Sequence, residues 1–302
     1  MSETIANEGA GLSTQAVPPR PPHPALPEDP LVIIEPKRVG ARLGLREVWA
    51  YRELLYFLAW RDVKVRYKQT TLGVLWVVMQ PLMMTLIFTA FLGVLVRVPT
   101  HGLPYPLMVY AGLLPWTFFS NAIMQGATSI VGNSNLITKV YFPRLIIPAA
   151  SVAARLVDFA VAFVILFGLM AFYRVGFTWQ AAMLPVLVLL TALLALGFGL
   201  LVAALNVRYR DVGVVLPVLM QLWMFVSPVL YPSRLVQEAW PAGHRLYALN
   251  PLAGIIDGFR AALFGQPFDW AALGTAAALT LLILAGSVYF FRRVEKSFAD
   301  VI

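Results

Sequence analysis

Several residue types that carry common chemistry are absent or scarce in this chain of 302 residues. It has no cysteine, which excludes disulfides, thiolate metal ligands and a cysteine nucleophile. Its three histidines lie far apart in the sequence, so a conventional metal cluster is not expected. No G-x-x-x-x-G-K-S/T pattern occurs, and the chain therefore lacks a phosphate-binding loop of the P-loop type. A process driven by ATP would need another polypeptide.

Charged residues are also scarce, at 13% of the chain against about 25% in an ordinary soluble domain. Hydrophobic residues make up 60%, and the mean hydropathy is +0.76. Five runs contain no Asp, Glu, Lys or Arg: 73–96, 102–138, 175–207, 213–233 and 270–291. Each can supply the roughly 20 apolar residues that cross a bilayer. The sequence thus predicts an all-α polytopic membrane protein.

Six spanning helices are predicted, at about 73–96, 106–130, 145–172, 181–205, 213–230 and 270–291. The segment 231–268 is a poor seventh span, because it contains charged residues and the break Asn250-Pro251. We expect two short re-entrant helices there, between spanning helices five and six. The predicted cytoplasmic segments hold 17 of the 23 lysines and arginines, so both termini are expected in the cytoplasm. This asymmetry accounts for the basic net charge without a nucleic-acid partner.

Four regions follow from this reading. Residues 1–30 are rich in proline and predict a disordered cytoplasmic tail. Residues 31–72 form an interfacial segment with an amphipathic helix, 73–291 the six-helix transmembrane domain, and 292–302 a cytoplasmic C-terminal tail. The apolar face of the interfacial helix is predicted to contain Leu45, Val48, Trp49, Leu55, Tyr56, Ala59 and Trp60. Leu54, Phe57 and Leu58 fall on its polar side, so burial against other helices is as plausible as contact with lipid.

The predicted spans contain one acidic residue, Asp158, three positions after Arg155. That spacing puts the two side chains on one helical face. They predict either a structural ion pair or a contact with an anionic substrate. A proton-driven carrier usually needs more buried carboxylates, so a partner is the expected source of energy.

Five motifs carry a resemblance to a known family. They are Trp60-Arg-Asp-Val-Lys-Val-Arg-Tyr-Lys-Gln-Thr70, Lys139-Val-Tyr-Phe-Pro-Arg144, Asn206-Val-Arg-Tyr-Arg-Asp-Val212, Ser227-Pro-Val-Leu-Tyr-Pro232 and Leu249-Asn-Pro-Leu252. In order and placement the chain resembles the permease subunits of polysaccharide-exporting ATP-binding cassette transporters, which export O-antigen, capsule and teichoic acid. The resemblance implies a homodimer in the bacterial inner membrane with two ATPase subunits, which bind ATP and Mg²⁺. It implies no cofactor and no enzymatic activity in this chain, and a polysaccharide linked to polyprenyl diphosphate as substrate.

The resemblance and the residue chemistry together suggest four candidate sites. The basic residues before the first span would attract a lipid diphosphate, or would only anchor the helix on the cytoplasmic side. They are Arg61, Lys64, Arg66 and Lys68. The segment Lys139, Val140, Tyr141, Phe142, Pro143 and Arg144 is expected to present an exposed apolar tip to the ATPase.

The other two sites concern the substrate path. The resemblance implies an outer gate with Asn250, Pro251, Asp257 and Arg260. Aromatic residues in or near the spans either line a channel for a sugar chain or pack between helices. They are Trp116, Phe118, Phe119, Trp223 and Phe225.

Two other functions remain open on the sequence. An exporter of the same broad class could move a drug or a simple lipid instead of a glycan. A membrane transferase acting on polyprenyl phosphates would need acid, base or metal-binding residues together on a cytosolic face, and the sequence has no such carboxylate cluster.

Overall fold

The computed structural model describes residues 49–68, 73–100, 102–243, 247–295 and 298. The predicted tail at 1–30, Leu45 and Val48 lie outside the described residues. The described residues form helices and connecting turns, with no β-strand among them. The α-helices are α1 (Arg52–Lys68), α2 (Gly73–Phe88), α3 (Tyr105–Gly132), α4 (Ser134–Lys139), α5 (Ile146–Phe172), α6 (Leu184–Arg208), α7 (Val212–Val226), α8 (Arg234–Ala239), α9 (Pro251–Phe264) and α10 (Trp270–Val294).

Five helical segments of the described chain are long and apolar enough to cross a membrane. They are Leu75–Leu95, Tyr105–Gly132, Ile146–Phe172, Trp179–Arg208 and Trp270–Val294. The first continues α2 through a π-helical stretch, Thr89–Leu95, and the fourth begins with a 3₁₀ turn before α6. The fifth predicted span, 213–230, forms the shorter helix α7 of 15 residues. The prediction of an all-helical protein with several membrane-spanning helices is therefore confirmed, with five helices of the described chain long enough to span, and the sixth crossing stays a prediction.

Helix α3 forms the centre of the bundle. Its most apolar stretch has the lowest mean hydropathy of the five spans, 1.3, and 78% of it is buried. Small residues let neighbours approach closely: a Cβ atom on Gly112 would lie 2.6 Å from the carbonyl oxygen of Val229. Helices α5 and α6 pack along α3, and α10 packs against α6. A central helix that is covered by protein does not need the lipid-facing hydropathy of the outer helices.

Helix α1 packs against α5 and leaves part of its apolar surface exposed. Leu58, which the sequence pattern placed on the polar side, is only 3% exposed. Tyr56 and Trp60, predicted on the apolar face, are exposed. The exposure of these two rings agrees with a face turned toward lipid, which stays a prediction, while contacts with α5 bury Leu58 on another face. The alternative of burial against other helices is thus confirmed for Leu58.

The segment 231–268 contains α8, a 3₁₀ turn at Pro241–Gly243, and α9. Asn250 caps α9, because its side-chain oxygen accepts a hydrogen bond from the Leu252 amide at 3.2 Å. Pro251 occupies the first helical position, where the absence of an amide proton costs nothing. Gly265 ends the helix in the left-handed region, with φ +70°. The result is a buried helix, packed against α3 and α10.

Candidate functional site

An ionic cluster joins α1 to two spanning helices. Arg66 of α1 donates to Asp158 of α5, with the nitrogen 2.6 Å from the carboxylate oxygen. Arg66 also donates to Gln125 of α3, over 2.5 Å. Arg155 donates to both acceptors as well, at 3.0 Å to Asp158 and 2.6 Å to Gln125. Two guanidinium groups, those of Arg66 and Arg155, therefore share the carboxylate of Asp158.

Tyr67 completes this cluster from the end of α1. Its hydroxyl donates to the second oxygen of Asp158, over 2.5 Å. Burial raises the pKa of Tyr67, and the bonded carboxylate of Asp158 raises it further. The phenol therefore keeps its proton, which the hydrogen bond to the carboxylate requires.

The four predicted lipid-diphosphate cations divide into two pairs. Arg61 bonds Asp62 at 2.8 Å and Asn133 at 2.9 Å, and Arg66 belongs to the ionic cluster. Lys64 and Lys68 are exposed, and the Lys64 ammonium lies 5.6 Å from the centre of the Trp60 ring. Attraction of a lipid diphosphate by these four residues stays a prediction, and their contacts show that they are not alike. The two arginines hold α1 to the bundle, and the two lysines point outward.

A cavity of about 230 Å³ lies against the ionic cluster. Arg66, Arg155 and Asp158 line its polar part. The remaining wall residues are all uncharged, and most of them are apolar. They are Trp76, Val77, Gln80, Pro81, Thr117, Phe118, Asn121, Phe159 and Ala162. The arrangement puts cationic and aromatic groups around one space. Such a space suits a molecule with an anionic group next to an apolar or sugar portion.

The sequence reading missed Tyr67, Gln125 and the wall residue Asn121 as parts of this site. Tyr67 lies within a quoted motif, and Gln125 is a polar residue inside a predicted span. Polar residues inside spans are a recognised signal of a functional or buried contact. That signal could have drawn attention to Gln125, but not to its pairing with Arg66, which is 59 positions away.

The predicted ATPase-contact segment has one strongly exposed aromatic residue. Tyr141 is 96% exposed, and its neighbours Lys139 and Val140 are exposed as well. Phe142 is only 5% exposed and Pro143 is half-buried. The expected apolar tip of three residues was therefore wrong, because Phe142 packs inward against α5 and the ends of other helices.

The predicted outer-gate residues hold the segment around α9 in place. Asn250 donates to the Ser227 hydroxyl at 2.9 Å and accepts from the Trp223 indole at 3.3 Å. Arg260 lies 3.5 Å from Asp257 and is 4% exposed. Its other donors reach backbone carbonyls of Val229, Tyr231 and Met108. The pair Asp257 and Arg260 therefore exists, and Arg260 also fastens α9 to α3 and to the chain after α7.

Most of the predicted channel aromatics are covered by helices of the same chain. Trp116 and Phe119 are buried, and Phe119 makes edge-to-face contacts with Trp223 and Phe198 at ring distances of 5.3 and 5.9 Å. Of the two alternatives for these residues, packing between helices is the one that their contacts support. Phe118 is also buried but borders the cavity beside the ionic cluster. Phe225 is half exposed on α7.

Known proteins resemble the chain over most of its length. The O-antigen export system permease protein RfbA of Myxococcus xanthus is 31% identical over 260 residues, which cover 85% of this chain and 98% of the relative. RfbA of Klebsiella pneumoniae is 24% identical over 83% of this chain and 95% of its own length. The polysialic acid transport protein KpsM of Escherichia coli is 24% identical, covering 78% of this chain and 92% of the relative.

The pattern of one protein family, described as ABC-2 type transporter, matches residues 53–264. That range begins in α1 and ends with α9, so it includes the ionic cluster, the exposed Tyr141 and the bonds of Arg260. The match agrees with the multi-pass, all-helical structure. The chain belongs to the ABC-2 type transporter family.

Proposed function

We propose that this chain is the membrane subunit of an ATP-driven exporter of a lipid-linked polysaccharide. The named relatives, an O-antigen permease and a polysialic acid transport protein, support this substrate class. The observation that carries the proposal is the cavity where two arginines meet aromatic side chains beside α1. A glycan linked to polyprenyl diphosphate carries the kinds of group that this cavity suits: an apolar tail, an anionic diphosphate and a sugar.

Arg66 and Arg155 are the residues that would receive the diphosphate. Both now share the single carboxylate of Asp158. A diphosphate brings more negative charge than Asp158 and can form paired hydrogen bonds with a guanidinium. The substrate therefore competes with Asp158 for the arginines, and exposed Lys64 and Lys68 increase its local concentration at the membrane surface.

The topology of the proposed exporter has six crossings. Helix α7 crosses as the fifth, its 15 residues being extended by the apolar chain that follows. Six crossings leave both termini on one side, and the excess of Lys and Arg there favours the cytoplasm. The bacterial inner membrane is the corresponding location. Helices α8 and α9 then lie on the outer side, as a re-entrant gate.

Two copies of the chain form the path. Helix α7 contacts α3 and α6 with one face, while Val214, Val218, Leu222 and Phe225 on another are exposed. In the segment from Leu75 to Leu95, only 11% of the most apolar stretch is buried. These two weakly covered helices supply the apolar surface for a second copy.

Two ATPase subunits drive the movement from the cytoplasm. They bind ATP and Mg²⁺, and this chain carries no cofactor and forms no covalent bond. Tyr141 provides the exposed aromatic contact, of the kind that dominates binding energy in protein interfaces. An exporter of a drug or simple lipid is the alternative, and a polyprenyl-phosphate transferase is a weaker one.

The test is deletion of the gene in its own host, followed by complementation. Export of a lipid-linked glycan requires that the deletion strain loses surface polysaccharide and accumulates the lipid-linked polymer inside. Sensitivity to a drug with normal surface polysaccharide would instead favour the drug exporter. Loss of the polymer itself, with no internal accumulation, would favour a transferase. The purified chain in liposomes, without the ATPase subunit, should transport nothing.

A further inference from the structure

After α10 the structure describes Glu295 and Phe298, which we call the C-terminal segment. Phe298 is 0% exposed, although it lies near the end of the chain. Its ring meets the ring of Phe291 edge to face, with centroids 5.4 Å apart. Both rings belong to a hydrophobic cluster at the end of the bundle where α4 lies, and this cluster also contains Phe142 and Leu58. The sequence alone predicts no more than a cytoplasmic tail at 292–302.

Arg144 connects this segment to the loop that carries Tyr141. Its guanidinium donates a hydrogen bond to the backbone carbonyl of Glu295. The guanidinium carbon also lies 6.0 Å from the centre of the Phe298 ring, within the range of a cation–π contact. The arginine predicted to face the ATPase therefore faces the C-terminal segment of its own chain.

Tyr141 consequently precedes two anchored residues. Phe142 is held in the cluster, and Arg144 is held by Glu295 and Phe298. The exposed side chain of Tyr141 has few contacts of its own, so the backbone at 142–144 decides where it points. Removing the Phe298 ring would remove the support under both anchors.

The same cluster also touches α1 through Leu58. Two turns further along that helix, Arg66 and Tyr67 hold the ionic cluster beside the cavity. A rigid helix between two packed clusters can transmit a displacement from one to the other. The loop that carries Tyr141 and the substrate cavity are therefore connected by continuous contacts.

We propose that the C-terminal segment is a positioning element of the coupling loop. Phe298 and the Glu295 carbonyl fix Phe142 and Arg144, present Tyr141 to the ATPase subunit, and pass the displacement of the loop to α1. This inference rests on the proposed function, since it takes the exposed loop as the ATPase contact.

The experiment uses the natural absence of cysteine. Val140→Cys, at an exposed position next to Tyr141, reports the loop through the labelling of its thiol by a maleimide. The reporter is placed in the otherwise unmodified chain and in Phe298→Ala, and each is assembled with its ATPase subunit in membranes. In the same strains, the amount of surface polysaccharide is divided by the amount of ATP hydrolysed. Both amounts are normalised to the amount of assembled complex. The matched control is Tyr289→Ala, which removes an exposed ring from the same end of the chain.

We expect Phe298→Ala to lose protection of the reporter thiol by the ATPase and to lower export per ATP by about three- to tenfold. Phe298→Leu, which keeps apolar volume without the ring, should show a smaller loss, and Tyr289→Ala none. A merely structural role would reduce the amount of complex but leave export per ATP unchanged. That result overturns the inference, as does unchanged protection in Phe298→Ala.

Two further outcomes separate the inference from the function on which it rests. If Phe298→Ala does not accumulate, Phe298→Leu and Arg144→Gln decide, and normal protection and export per ATP in both overturn the inference. If the ATPase does not protect the reporter thiol even in the chain with Phe298 intact, the assignment of the coupling loop itself fails.

Discussion

Asp158 is the residue on which most contacts of the ionic cluster converge. Its carboxylate accepts from Arg66, Arg155 and Tyr67, and its side chain is 12% exposed. A charge in this setting is tolerated because donors from two helices replace the lost water. The sequence alone suggested a pair with Arg155. The structure adds α1 to that pair, so the cluster has a function in holding α1 as well as in charge neutralisation.

Removal of the Asp158 charge should therefore destabilise the bundle. In Asp158→Asn the two partly buried guanidinium groups lose the carboxylate that both of them contact, and loss of one partner of such a pair costs about 3 kcal/mol. We expect a lower unfolding temperature of the purified subunit in detergent, followed by intrinsic tryptophan fluorescence. Asp211→Asn, at an exposed loop position, is the matched control and should behave like the unmodified chain. Equal unfolding temperatures for both variants would contradict the structural importance of the cluster.

In the loop between α4 and α5, two adjacent aromatic residues have opposite surroundings, one in solvent and one in the core. Tyr141 and Phe142 have similar side chains, yet one is 96% and the other 5% exposed. Sequence analysis could recognise the aromatic pair but not assign one ring to the solvent and the other to the core. That division depends on where α5 begins and on the cluster that receives Phe142.

Alanine substitutions at these two positions should give opposite results. Tyr141→Ala should leave the unfolding temperature unchanged and weaken ATPase binding by about 2 kcal/mol, as expected for an exposed aromatic hot spot. Phe142→Ala should reduce folding stability by about 3 kcal/mol, because it empties a packed site. Thermal unfolding and co-purification with the ATPase subunit measure the two effects. A Tyr141→Ala variant that binds the ATPase normally would exclude this ring from the contact.

At the scale of the whole molecule, helix content and most spans could be predicted from the sequence because hydropathy is a local property. The orientation of α1 could not, since contacts with α5 place Leu58 inside. The ionic cluster could not be predicted for the same reason. Arg66 and Asp158 are 92 positions apart, and only the packing of α1 on α5 brings them together. The sequence left two alternatives for Trp116 and Phe119, because an apolar ring between helices and one along a path have the same local sequence signal.

The exposed side of α7 provides a test of the assembly. Leu222 of α7 and Leu189 of α6 are each 59% exposed, Leu222 four residues before the last residue of α7 and Leu189 five residues after the first residue of α6. They differ in that α7 is short and weakly covered, whereas α6 is packed against α3 and α10. A second copy should therefore cover α7, and lipid should cover the exposed face of α6.

Single cysteines distinguish these surfaces cleanly, because the chain has none of its own. Leu222→Cys should form a disulfide-linked dimer on mild oxidation in native membranes, as should Val218→Cys one turn earlier on the same face. Leu189→Cys should remain monomeric on a non-reducing gel under the same conditions. A dimer through Leu189→Cys but not through either α7 position would place the second copy against α6. The path between copies would then have to be sought along that helix instead of along α7.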